Sequence, residues 1–334
     1  MEIRVTEMKA IEGITIRRNS VMRKEKTNMK TNKRNVPMLS GILILTFALF
    51  AQTSSAQSAT AGQKPVNSVK TDSRILYHNG PILTGGQNVY LIWYGCWDNN
   101  CGISGDTAAQ FILSDFMSSL GSTPYFQINS TYPNSSGLAP NGVLQFGGAA
   151  IDRYSHGFEL TAADIQGIIS DQILGSQLPL DVAGIYLVLA SGDVSSSATG
   201  FCAPSAPPHH GRGIVLGTNF IYGFVGNPVR CPTIGAPQFI ASDGTRLPTP
   251  NGNFGADGMA STMAHVLDGL VTNPMGSGWF DRYNLENADK CAGTFGQTYT
   301  TANGAKANIK LGYRDFLIQQ NWVNDRKPRC AMTQ

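Results

Sequence analysis

The chain has 334 residues, 25 Lys/Arg against 22 Asp/Glu, a formal net charge of +3 and six cysteines. The excess positive charge is local, because Met1–Pro37 holds ten basic and four acidic residues and leaves fifteen basic against eighteen acidic beyond it. The remainder therefore carries no basic field, which excludes nucleic acid and an anionic membrane surface as partners.

In chain order, the first element after the basic stretch is the apolar run MLSGILILTFALFA, Met38–Ala51, followed by QTSSAQ with small residues at Ser54 and Ala56. A positive start, a short apolar run and a small-x-small site predict a signal peptide over residues 1–56, cleaved after Ala56. A membrane-spanning helix needs about 20 apolar residues instead. The basic region is long for a leader, and Met22 or Met29 is the expected translation start because either gives one of ordinary length. Residues 57–74 are polar and rich in Ser, Thr and Gly, which predicts a flexible tail, and the folded domain is expected over 75–334.

NVYLIWYGCW, Asn88–Trp97, is a β-branched and aromatic run bounded by glycine and predicts a buried strand. DTAAQFILSDFMSSLG follows, with Phe111, Ile112, Phe116 and Leu120 at helical spacing and Gly121 as the stop. Strands are expected around Tyr125–Thr131 and Gly142–Phe146, then a helix opened by the Thr161 and Asp164 capping pattern, then a strand over Gly184–Ser191. Gly200–Asn253 reads as loop, with only Ile214–Phe224 apolar enough to cross a sheet. Ala256–Pro274 is the strongest helix, with Asp257 as its expected N-cap, and Lys306–Val323 should give two short strands. This order predicts an α/β (α+β) fold, one compact domain with a mixed β-sheet and flanking helices.

All six cysteines lie beyond the leader, where export permits disulfides. Six thiols allow many pairings, and locality favours Cys96 with Cys101, Cys202 with Cys231 and Cys291 with Cys330. A thiolate zinc site is the rival, but these spacings match no zinc pattern.

His265 with Asp268 at i+3 is the leading chemical candidate, and Glu286 and Asp289 in ENADKC follow about twenty residues downstream. His265, Asp268 and Glu286 or Asp289 are the candidate ligands of an open, oxygen-rich metal site, so the expected cofactor is zinc or none. The string HVLDG nevertheless has Val266 where a metalloprotease helix carries its general base, and Gly269 where it carries a second ligand. The plain alternative is a buried helix histidine hydrogen-bonded to a carboxylate.

His209-His210 in a Pro/Gly loop suits adventitious metal, and Asp152, Tyr154, His156 and Glu159 form either a polar site or a turn tied by its own side chains. Asp98 and Glu159 are examples of carboxylates open to a glycosidase pairing. Asn129 and Asn134 head glycosylation sequons in a presumed surface loop, relevant in a eukaryotic source. No serine-hydrolase elbow, phosphate loop or dinucleotide fingerprint is present.

The blocks LYHNGPILTGGQNVYLIWYG, YSHGFELTAADIQGII, LPLDVAGIYLVLAS, FVGNPVRCP and PNGNFGADGMAS, followed by TNP, resemble the phosphate-induced protein 1 family, also called the EXORDIUM family, from about Ile75 to Cys330. In plants the resemblance implies a secreted protein of the apoplast and cell wall, linked to growth and without established catalysis. CWDNNC, ENADKC and RDFLIQQNWV are similar to bacterial members, whose helix reads HExxE. That second likeness implies a zincin-like fold in which only His265, Glu286 and Asp289 of the pattern survive.

Three functions follow as expectations: a non-catalytic binding or growth-signalling module at the cell surface or wall, a divergent zinc-dependent metallohydrolase, and an extracellular carbohydrate-binding protein. The expected partners are wall polysaccharide or a surface protein. The expected location is outside the cytoplasm, in the apoplast or wall of a plant or the periplasm or exterior of a bacterium.

Overall fold

The computed structural model describes residues 74–98, 106–203 and 209–334. Its centre is a five-stranded sheet of β1 (Gln87–Tyr94), β2 (Leu144–Asp152), β3 (Ile185–Ala190), β4 (His210–Val215) and β5 (Thr218–Val225), ordered β2-β1-β3-β5-β4. The pairs β1/β2, β1/β3 and β3/β5 are parallel, and β4 closes one edge antiparallel to β5. Parallel strands buried on both faces need continuous apolar sequence. IYLVLA in β3 and VYLIWY in β1 supply it.

Three helices cover the sheet: α1 (Thr107–Leu120), α2 (Ala162–Leu174) and α3 (Phe254–Thr272). Odd-numbered residues of β1 and β3, such as Leu91 and Leu187, pack with Phe116 of α1 and Met263 of α3. Even-numbered residues, such as Tyr90, Ile92 and Val188, pack with Ile165 and Ile169 of α2. The period of two along each strand thus divides the interior into two cores, one on each face. Each of these three is capped: Asp106 accepts from the Ala109 N–H, Thr161 and Asp164 form a reciprocal capping box, and Asn253 accepts from the Ala256 N–H.

The mixed α/β architecture agrees with the sequence reading, and several elements correct it. Residues Phe126–Thr131 form a 3-10 helix rather than a strand, because Thr123 and Asn129 bond the local backbone and take it out of sheet competition. The second strand runs to Asp152, well past Phe146. The apolar stretch Ile214–Phe224 belongs to a hairpin of two strands turning at Leu216-Gly217. α3 starts at Phe254, so its cap is Asn253, and Asp257 sits inside the first turn. The C-terminal part holds more short strands than two, among them Ile309–Leu311 paired with Arg314–Phe316 and Asn321–Val323 paired with Arg329–Ala331.

Disulfides join Cys202 to Cys231 and Cys291 to Cys330, as locality suggested, while Cys101 lies outside the described residues. The bridges close separations of 29 and 39 residues. Chain entropy makes each worth about 4 kcal/mol. Full reduction should therefore move the guanidinium unfolding midpoint down sharply, and an unchanged midpoint would show that the folded interior alone holds these loops. No helix among the described residues is long and apolar enough to cross a membrane.

Candidate functional site

α3 lies directly on β5. A Cβ added at Gly223 of β5 would stand 2.2 Å from Val266 Cγ1, so only glycine lets the helix approach this closely. That approach fixes His265, the residue before Val266 on α3. Its Nε2 lies 2.9 Å from Asp289 Oδ1, and Asp289 Oδ2 accepts from the Glu286 N–H at 2.9 Å. Glu286 then reaches the sheet edge, with Oε2 2.7 Å from His210 Nε2 of β4 and Oε1 accepting from Asn273 Nδ2 at 2.6 Å. Helix, edge strand and the ENADKC segment meet here in two His–carboxylate pairs, side by side.

Gly269, one turn after His265, makes this arrangement possible. A Cβ there would come within 2.5 Å of Glu286 Oε2 and 2.9 Å of His210 Nε2. The volume that a side chain at 269 would fill is taken by the Glu286–His210 pair.

The ENADKC segment is held from beneath by a buried amide cluster. Asn287 Nδ2 donates to Asn129 Oδ1 at 2.9 Å and to the Asp268 carbonyl at 3.0 Å, and Asn321 Nδ2 donates to the same Asn129 oxygen. The Lys290–Asp281 ion pair, 3.0 Å and wholly buried, and the Cys291–Cys330 bridge complete the support. The pairs open on a cleft of about 450 Å³ whose walls include His210, Arg212, Met275, Asn284, Glu286 and Asp289.

Burial by itself would lower the His265 pKa, but the hydrogen bond and charge of Asp289, with smaller help from Gln319 and Glu286, raise it above the usual histidine value. Burial pushes Asp289 up in turn, and the bond to His265 and that ring's charge bring it below the usual carboxylate range. Both directions describe an imidazolium–carboxylate pair. His209 behaves oppositely, since burial and the neighbouring His210 lower its pKa.

The structure brings His265, Glu286 and Asp289 together and adds His210, which the sequence reading had left in a loop. The alternation in HGRGIV was the available signal for a strand there. Asp268 corrects the metal set. It shares a helix face with His265, yet its carboxylate turns to Tyr125 Oη at 2.8 Å and Asn129 Nδ2 at 2.7 Å, and burial raises its pKa to about 7 against the bonds from those two partners. Among the described residues no three His, Cys, Asp or Glu side chains form a group able to hold a metal ion. As the side chains stand, His210 Nε2 faces Glu286 and His265 Nε2 faces Asp289.

The other candidates divide. Asp152 bonds Ser155 and Gln172, Tyr154 bonds Asp193, His156 bridges Asp164 and Asp171, and Glu159 bonds Ser195 and the Ser197 N–H. Only the Asp152–Ser155 bond is local to the turn, and the other partners come from α2 and from the segment after β3. Asp98 pairs with Arg153. Asn129 is fully buried, which corrects its reading as a surface sequon, whereas Asn134 sits in an exposed turn where it accepts from Ser136 and Leu138. Of the aromatic residues that a carbohydrate-binding reading would call on, Trp93, Tyr94 and Trp97 are core, and Trp279 packs between Tyr77 and Tyr132.

The description "Phosphate-induced protein 1 conserved region" matches residues 75–316. The chain belongs to this family. Among curated relatives, this family member is 32% identical to Protein EXORDIUM-like 3 of Arabidopsis thaliana over 282 residues, covering 75% of this chain and 80% of the relative. It is 31% identical to Protein EXORDIUM of Arabidopsis thaliana, covering 76% and 84% of the two chains. Protein PHOSPHATE-INDUCED 1 of Nicotiana tabacum is 29% identical over 256 residues, 70% of this chain and 75% of its own. No solved structure matches the chain.

Proposed function

We propose that this EXORDIUM-family chain is exported and works at the cell surface or wall as a non-catalytic binding module, with the His210–Glu286 and His265–Asp289 cleft as its ligand site. The observation that carries the reading is the pairwise satisfaction of all four groups: the cleft offers an organised polar wall, and Gly269 leaves room for a bond where a second metal ligand would stand. Export rests on the leader, and the two disulfides are consistent with an oxidising compartment. Kinship with bacterial members is part of the proposal and rests on CWDNNC, ENADKC and RDFLIQQNWV.

Between the two partner classes, a surface protein is favoured over wall polysaccharide. Among the described residues no aromatic ring other than histidine lines this cleft, and Trp93, Tyr94, Trp97 and Trp279 are in the core or packed on other rings. The test is capture of the chain from Gln57 onward on walls of the producing organism, before and after protease or periodate treatment. Protease-sensitive capture that falls with Glu286→Gln is the expected result, whereas periodate-sensitive capture would transfer the reading to polysaccharide.

A divergent zinc-dependent, zincin-like metallohydrolase is the second reading, favoured by one observation: His210, Glu286 and Asp289 line this cleft and His265 is buried directly behind Asp289. Elemental analysis of the purified chain beside His265→Ala separates the two. About one zinc per chain, lost in the variant, supports the hydrolase, and no metal in either supports the binding module.

A further inference from the structure

β4 pairs with β5 along one side, and among the described residues no strand pairs with its other side. The His209 carbonyl accepts from the Phe224 N–H, so in the antiparallel alternation His209, Gly211 and Gly213 bond to β5. The amides and carbonyls of His210, Arg212 and Ile214 therefore face outward. Their side chains share one face, where His210 and Arg212 line the cleft and Ile214 lies 66% exposed beyond them.

The hairpin tip adds an independent feature. Leu216 and Gly217 both have positive φ, 50° and 73°, which is the two-residue type I′ turn that favours Asn-Gly. A leucine in the left-handed region is strained, and this one is 75% exposed, so neither backbone preference nor burial explains it. Ile214 continues the face of Arg212 beside the polar cleft, and Leu216 adds an exposed apolar side chain at the hairpin tip.

We infer that β4 is a docking edge for an extended segment of another protein, added as an antiparallel strand. The segment carries an acidic residue opposite Arg212, an apolar β-branched residue opposite Ile214 and a small polar residue at His210 and the cleft. Main-chain bonds to the outward amides hold it, and the alternate pairs set its register. A second copy of this chain fits less well, since pairing of two such edges centred on the strand sets Arg212 against Arg212. The inference rests on the binding-module reading and names its partner class.

The probe is the blocked peptide acetyl-Thr-Val-Thr-Glu-Thr-Ser-Thr-amide, labelled for anisotropy and titrated with the chain from Gln57 onward. Arg212→Glu should weaken it at least about tenfold, and exchanging the peptide Glu for Lys should restore binding to that variant. Leu216→Asn, which suits the turn, should also weaken binding while raising the unfolding midpoint. N-methylation of the Glu nitrogen should abolish binding, whereas N-methylation of either neighbouring Thr nitrogen should leave it.

Equal loss at all three nitrogens, no peptide binding, or a concentration-dependent dimer abolished by Arg212→Glu would each overturn the inference. If the peptide fails while protease-sensitive wall capture still falls with Glu286→Gln, only the docking edge is lost. If wall capture is absent as well, the binding-module reading falls with it.

Discussion

Replacing Lys290 with methionine lowers the free energy of unfolding by about 3 to 5 kcal/mol, the usual cost of breaking a buried ion pair by removing one member. Lys290 and Asp281 are wholly buried, with Nζ 3.0 Å from Oδ2 and also 5.4 Å from the centre of the Trp322 ring. Asp281 Oδ1 meanwhile accepts from the Tyr283 and Leu285 amides, so this carboxylate organises the turn leading into Glu286. The loss should reach the cleft, because the same segment carries Glu286 and Asp289. Asp281→Asn in the Lys290→Met background keeps an acceptor for both amides and removes the charge, and it should recover most of the loss. Guanidinium unfolding of the parent chain and the two variants is the measurement. A single-variant change under about 1 kcal/mol would mean that solvent reaches the pair.

The second large effect is a dependence of stability on pH. The Asp268 carboxyl, buried against Tyr125 and Asn129, has its pKa raised from 3.8 to about 7. Between those values the folded chain retains a proton that the unfolded chain has released, so stability falls as pH rises from about 4 to about 7 and this group adds no slope outside that window. The span of about three pKa units corresponds to about 4 kcal/mol. His265 adds to the trend, since its raised pKa gives stability that is present below pH 6.5 and lost as pH climbs through the folded value. Asp289 acts oppositely and lower, its depressed pKa giving stability that disappears as pH falls through the folded value. The chain should therefore be most stable in mildly acidic solution. Asp268→Asn should flatten the fall between pH 4 and 7 and leave the variant the more stable protein at pH 8. Urea unfolding at several pH values decides this, and an undiminished slope in the variant would assign it elsewhere.

What the sequence determined by itself was whatever depends on neighbours along the chain. β1 and β3 were legible because strands buried on both faces require continuous apolar runs. α2 was legible because Thr161 and Asp164 cap it locally, and the core face of α1 because Ile112, Phe116 and Leu120 repeat at helical spacing. The pairings Cys202–Cys231 and Cys291–Cys330 followed from proximity, and the family from ordered blocks. His265, Glu286 and Asp289 were singled out because titratable residues at ligand-like spacing are visible in any sequence.

Tertiary structure decided what those residues touch. His210 lies 76 residues from Glu286 in sequence, and nothing local announces that β4 brings them to 2.7 Å. Asp268 looked like a ligand because i and i+3 share a helix face, yet the packing of Tyr125 and Asn129 onto α3 claims both of its oxygens. Asn129 read as a surface sequon because a motif carries no information about burial. Gly269 read as a missing ligand, and in the fold it is the space in which Glu286 meets His210. Helical spacing and capping are short-range and so are written in the sequence, whereas the partner of a buried polar group is set by whichever distant segment the packed sheet and helices deliver to it.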